Sequence, residues 1–179
     1  MDHLTAELRK AGLDSPGCIP SYREASNVAY LSAVIREAMR LHPSVGMILP
    51  RGVPTGGATL VDEKGRKFYI GHGAEIGFNP WIMQRDPEIF PDPDAFKPNR
   101  WIDADSSHLV RMNRAWLAFG AGRHSCSGQH ISMLEMTKLI PSLVLRYNMA
   151  WQDGASDVKV ENYFFTTQTG LNVSLSARK

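Results

Sequence analysis

The sequence predicts an α+β chain, mainly helical with small β-sheets, and three observations carry that expectation. Apolar residues recur at helical spacing through residues 4–10, 28–41 and 129–139. The strand-like runs are short and border turn residues, as at 58–61 and 67–70 around Asp62-Glu63-Lys64-Gly65. Between the helical parts, Pro80, Pro87, Pro91, Pro93 and Pro98 forbid a long helix or a central strand over residues 80–101. With 179 residues, 43% hydrophobic content and net charge +2, the chain reads as one globular unit with a real core.

The elements follow in order. Residues 4–10 read as the end of a helix, stopped by Gly12 and the Asp14-Ser15-Pro16-Gly17 turn. Ser21 and Glu24 have capping-box spacing and start a short helix. A stronger helix covers 28–41, with Leu31, Ile35 and Ala38 on one face and Pro43 at its end. The 58–61 and 67–70 runs form a hairpin, and 74–78 forms a further strand. Residues 80–101 make an ordered, meandering connection. From 129 the pattern is helical again, with Met133, Met136 and Ile140 on one stripe and Ile131 and Leu134 beside it. Pro141 is expected to kink this helix or end its first part. In the tail, residues 171–176 alternate as a half-buried strand, expected to pair in a hairpin with Tyr163-Phe164-Phe165.

Composition excludes several classes. The charge is too slight for a nucleic-acid binder, and no basic run is interleaved with stacking aromatics. Cys18 and Cys126 make no disulfide framework, which makes a reducing compartment the default. No apolar stretch is long enough to cross a bilayer, and the first residues look like no signal peptide.

One decapeptide stands apart: Phe119-Gly120-Ala121-Gly122-Arg123-His124-Ser125-Cys126-Ser127-Gly128. Gly120 and Gly122 allow backbone angles that let the chain turn tightly around the sulfur. Cys126 then precedes a helix N-terminus, where free N–H groups and the dipole favour a thiolate. A thiolate so held suits the single axial ligand of a haem iron. On composition alone, a lone cysteine among glycines is more often an inert thiol. Order and spacing decide against that, because the stretch resembles the haem-binding signature of the cytochrome P-450 monooxygenases. That signature runs Phe, two residues, Gly, one residue, Arg, one residue, Cys, one residue, Gly. Phe119, Gly122, Cys126 and Gly128 match it, while His124 stands where Arg is usual. Either side chain can donate to a haem propionate, and the neighbouring Arg123 can share that task.

A second match is the order of three elements. Glu37 and Arg40, three apart on the 28–41 helix, are similar to the family's Glu-x-x-Arg pair. By themselves such pairs are common surface features. They are followed by a Pro-rich meander with Phe96-Lys97-Pro98-Asn99-Arg100-Trp101, and then by the cysteine loop. The resemblance implies that Arg100 joins Glu37 and Arg40 in one network, with a carboxylate bridging two guanidinium groups. Asn99 and Trp101 depart from the Glu and Phe more usual in the family. The resemblance further implies that Arg51 contacts a haem propionate, the other reading being an ordinary surface arginine. Val45 and Met47, with Phe165 and Thr166 in the 165–168 turn, resemble segments lining the substrate pocket; Met47 and Phe165 read equally well as core residues. The remaining histidines, His3, His42, His72, His108 and His130, show no metal-ligand spacing.

The resemblance divides the chain into the 28–41 Glu-x-x-Arg helix, the 80–101 meander, the 119–128 cysteine loop and a proximal helix over 129–148. It implies haem b with an axial thiolate, a small organic substrate, and an NADPH-dependent flavoprotein reductase as electron donor. Lys97, Arg100, Arg111, Arg114 and Arg123 would form a basic proximal face for that acidic partner, or equally serve as scattered solubilising charge. The sequence is similar to filamentous-fungal members that tailor secondary metabolites. A full member is more than twice this length and, in eukaryotes, often begins with an anchor in the ER membrane. The expectation is therefore the C-terminal portion of the fold, lacking the N-terminal half and the distal oxygen-activating helix, with the cytoplasm as default location. Two functions remain open: a haem-thiolate monooxygenase or its C-terminal half, and a non-catalytic remnant or interaction module. A zinc-type site at Cys126 is a distant third, since no second ligand lies at suitable spacing.

Overall fold

The computed structural model describes residues 1–15, 19–62, 64–152 and 158–178. Cys18, part of the 14–17 turn and Glu63 of the hairpin turn lie outside the described residues. The first helix, α1 (Asp2–Lys10), leads into α2 (Tyr22–Ala25), where Ser21 accepts from the Glu24 N–H and the Glu24 carboxylate accepts from the Ser21 N–H. The reciprocal bonds satisfy two donors that a helix start otherwise leaves unpaired. The 13-residue helix α3 (Ala29–Leu41) follows.

Small antiparallel pairs come next. The strand β1 (Arg51–Gly52) pairs with β4 (Glu75–Ile76), and β2 (Ala58–Val61) pairs with β3 (Lys67–Ile70) in the register Leu60 to Phe68. The proline-rich connection holds only a short α4 (Pro80–Met83) and ends in α5 (Arg100–Asp103). Helix α6 (Ser106–Ala115) precedes the cysteine loop, and α7 (Gln129–Arg146) leaves it. The strands β5 (Tyr147–Trp151), β6 (Lys159–Asn162), β7 (Thr166–Thr169) and β8 (Val173–Ala177) complete the chain.

Two hydrophobic clusters meet on α3. Leu31 and Ile35 pack with Leu4, Leu8 and Val144, against which Met133, Met136 and Ile140 of α7 also lie. Ala33 faces the other way, toward Phe90, Trp101, Met112 and Ala115. This double burial explains one departure from the sequence pattern. Ala38 is exposed, whereas Glu37 and Arg40 are fully buried. A helix buried on two sides does not show a single apolar stripe, and polar residues mark its second inward face.

Three further differences have physical reasons. Pro141 does not end α7, which runs through it for 18 residues. The Ser142 hydroxyl donates to the Lys138 carbonyl at 2.7 Å beside the turn where proline removes a backbone donor. The tail strand pairs with β5, not with residues 163–165, and it is exposed along its length rather than half-buried. The actual hairpin joins β6 to β7, so Thr166 begins a strand instead of lying in a turn. Helix α6 escapes the apolar-stripe reading because only Met112 and Ala115 of it are buried.

Candidate functional site

A buried polar cluster is built on the last turns of α3. Glu37 and Arg40 are three residues apart, so both side chains project from one face toward the meander. The Arg40 Nε donates to Glu37 Oε2 and its Nη2 to Glu37 Oε1, both at 2.9 Å, a bidentate pair. Arg40 also donates to the carbonyls of Gln84, Pro93 and Ala95, which bind the meander to the helix. The Arg100 Nε reaches Glu37 Oε1 at 3.0 Å, and its remaining nitrogens donate to the Pro91 and Asp92 carbonyls. Arg40 and Arg100 thus share the Glu37 carboxylate.

Two donors that sequence reasoning passed over complete this cluster. The Lys97 N–H donates to Glu37 Oε1 and the Trp101 indole N–H to Glu37 Oε2, each at 2.9 Å. Burial pushes the Glu37 carboxyl upward, but the donors and the Arg40 charge outweigh it and hold the group below its ordinary range. Gln84 was missed as well. It is fully buried, donates from Nε2 to the Arg40 and Met39 carbonyls, and accepts from the Leu117 N–H at 2.7 Å. A glutamine inside a proline-rich stretch carries no local signal of such a role.

The cysteine loop hangs from this frame. After α6 the chain extends through Trp116, and the Cys126 N–H donates back to the Phe119 carbonyl at 2.8 Å, closing the turn. Gly120 and Gly122 have φ of 70° and 67°, left-handed values that favour glycine. A short 3-10 turn, Gly122–His124, lifts the loop so that Cys126 stands free and exposed. Arg123 and His124 are exposed beside it. Helix α7 starts three residues beyond the cysteine, with Gly128 at its N-cap.

Arg51, in β1, is exposed and donates to the Leu49 and Pro50 carbonyls. It stands on the wall of a cleft of about 320 Å³ whose other walls include Leu49, Ile76, Phe78, Leu117, Gly120 and Ala121. The cleft is therefore apolar, carries one cation, and shares its floor with the cysteine loop. The pocket-lining candidates also meet. Val45 and Phe165 form an antiparallel bridge, and the Thr166 N–H donates to the Ser44 carbonyl at 2.9 Å. Asn162 packs so closely on Gly46 that a Cβ there would lie 2.6 Å from its side chain. Met47 and Phe165 are both exposed, which is not how core residues behave.

The basic face is narrower than the sequence suggests. Arg100 turns inward to Glu37, and Lys97 pairs with Asp92. Arg111, Arg114 and Arg123 remain as exposed cations. Among the described residues, no group of three metal-binding side chains is assembled, and no helix is long and apolar enough to cross a membrane.

The model of the family described as Cytochrome P450 matches residues 1–175. The chain is 34% identical over 179 residues to the cytochrome P450 monooxygenase mfmA of Annulohypoxylon moriforme, covering 99% of this chain and 33% of that protein. It is 38% identical over 180 positions to the cytochrome P450 monooxygenase pkfB of Emericella nidulans, with 99% and 34% covered. Pisatin demethylase of Fusarium vanettenii is 36% identical over 163 residues, with 90% and 30% covered. The chain spans about a third of the length of the curated relatives it matches.

Proposed function

The chain belongs to the cytochrome P450 family, and on that premise we propose that it is the haem-holding part of a monooxygenase. The reaction would place one oxygen atom from O2 into a small organic substrate of fungal secondary metabolism. One observation carries the reading: a free, exposed thiol on a loop tied to Phe119 and bordering an apolar cleft with a single cation.

The residues present fit the family's haem with axial thiolate. An apolar plate with carboxylates at its edge needs a soft anionic ligand, a dry wall and a few cations. Cys126 offers the first, the Leu49, Ile76 and Phe78 side chains the second, and Arg51, Arg123 and His124 the third. Bound there, the group supplies an iron centre whose reactivity toward O2 is set by electron donation from sulfur. The protein's own contribution is positional. The Glu37 cluster fixes α3 against the meander, Gln84 fixes the start of the cysteine loop, and the Cys126 amide fixes the sulfur's own turn. Phe119, Gly122 and Gly128 would shape the face against the ring. Val45, Met47, Phe165 and Thr166 would exclude water from and orient the substrate. Arg111, Arg114 and Arg123 would meet an acidic, NADPH-dependent flavoprotein reductase.

Titration with hemin followed by the ferrous–CO absorption spectrum tests this reading. A red-shifted, thiolate-type Soret band is expected, and Cys126→Ala should abolish it. No haem uptake, or the same band without the sulfur, would end the proposal.

A second reading is favoured by the exposed apolar side chains of α7, where Ile131 is 65% and Leu139 is 57% exposed, and by Phe78 at 67%. Such surface calls for cover. On this reading, the segment by itself binds haem or a partner without turning over substrate. A haem-loaded sample showing the thiolate band but no product with reductase and NADPH would favour it.

A further inference from the structure

Arg36 makes no hydrogen bond to Glu37, Arg40 or Arg100, yet it lies against Trp101, the indole that donates to Glu37. It lies on α3 beside Glu37, and among the described residues no carboxylate is within ion-pair distance of it. Its guanidinium carbon sits 4.1 Å from the centre of the Trp101 ring and 5.2 Å from that of Trp116. Its Nη2 donates to Asn113 Oδ1 of α6, while its Nε is buried with no hydrogen-bond partner. Burial alone pushes its pKa down. A cation kept without a counter-charge is held by aromatic faces, and both rings lie within the reach at which such attraction operates.

The two indoles lead in opposite directions. Trp101 donates its N–H to Glu37. Trp116 donates its own to the Arg36 carbonyl at 3.1 Å and meets the Phe119 ring edge-on, with centroids 5.9 Å apart. The Phe119 carbonyl in turn receives the Cys126 N–H. Contact is continuous from Glu37 through Trp101, Trp116 and Phe119 to the cysteine's own backbone, with Arg36 against both indoles.

We propose that Arg36 is a positioning residue, a cationic strut packed against both Trp101 and Trp116 that sets where the cysteine loop stands. The consequence for the sulfur rests on the haem-thiolate reading above, but the placement of the loop does not. Trp101 and Trp116 also meet edge-on, with centroids 6.5 Å apart; without the guanidinium that covers both, the pair loses its third side and the loop loses the wall behind Phe119. An ammonium can sit over one indole but lacks the planar fork that reaches both, so lysine restores only part of the effect.

Residue-resolved amide exchange by NMR on the 179-residue chain tests the strut without haem. In Arg36→Ala the Cys126 amide is expected to exchange about tenfold faster while amides of α1 and of β5 keep their rates, the factor a partly desolvated cation–π contact carries. Arg36→Lys should fall between the two. If Arg36→Ala does not fold, Asn113→Ala, at an exposed position, should shift the same amide in the same direction by less. An unchanged Cys126 amide, or an equal rise everywhere, would overturn the proposal. The spectroscopic readout is the ferrous–CO band of the hemin-loaded chain, where Arg36→Ala should lose part of the thiolate-type band and Arg36→Lys recover some of it. A wild-type chain with no such band would refute the haem reading, and the exchange rates would still decide the strut.

Discussion

The Trp101 indole N–H donates to Glu37 Oε2 at 2.9 Å, capping from the meander side a carboxylate that Arg40 grips from α3. Phenylalanine, more usual in the family at this position, has no such donor. Trp101→Phe is therefore expected to lower the unfolding free energy by about 1.5–3 kcal/mol, the range for a hydrogen bond to a charged group. The urea midpoint measures it, and a change near zero would mean that the ring acts through shape alone.

Arg40 is fully buried, and its nitrogens are distributed among the Glu37 carboxylate and the carbonyls of Gln84, Pro93 and Ala95. Arg40→Ala leaves the carboxylate without its main partner, at a cost of about 3–5 kcal/mol. Arg40→Lys should recover well under half, because a single ammonium cannot match a planar fork. Equal stability of Arg40→Lys and wild type in chemical denaturation would refute this.

Glu37 links stability to pH. Its native pKa lies below the ordinary value of 4.5, so the unfolded chain binds the proton more readily between the two values. The contribution is complete above the ordinary value and is lost as pH falls through it toward the native one. Thermal midpoints measured across that acidic window should fall more steeply for wild type than for Glu37→Gln. Parallel curves would show that other carboxylates set the acid limit.

Gly122 has φ of 67° with open space around its Cα. Gly122→Ala thus isolates backbone strain and should cost about 1–2 kcal/mol. Gly52→Ala is the control, since its surroundings are equally open and its φ is not left-handed. Its effect should stay within about 0.5 kcal/mol. Similar losses for both would remove strain as the explanation.

At Gly46 the obstacle is steric instead. An added Cβ meets Asn162 of β6 at 2.6 Å, so Gly46→Ala should cost about 1–3 kcal/mol and loosen the contact between residues 44–46 and 165–166. Faster exchange of the Thr166 amide, which donates to Ser44, is the expected signature.

The parts legible in the sequence are those whose determinants are contiguous. The capping box at Ser21 and Glu24, the hairpin at β2 and β3, and the spacing around Cys126 all sit within a few residues, so local chemistry specifies them. Trp101 and Gln84 were not legible. Their partners lie 64 and 33 residues away, at Glu37 and Leu117. The family resemblance made Trp101 look like a departure, and only its position shows that the indole nitrogen is used.

The same division separates what the amino-acid order settled from what three dimensions added. Order pointed to the family, singled out Cys126 and, through the resemblance, implied the Glu37, Arg40 and Arg100 set, because the spacing of chemically distinctive residues survives without coordinates. Tertiary structure decided which strand pairs with the tail, which face of α3 is buried and how Arg36 comes to pack against two indoles. Those outcomes depend on where distant segments meet, and that is set by burial of many weak contacts at once rather than by any neighbouring residue.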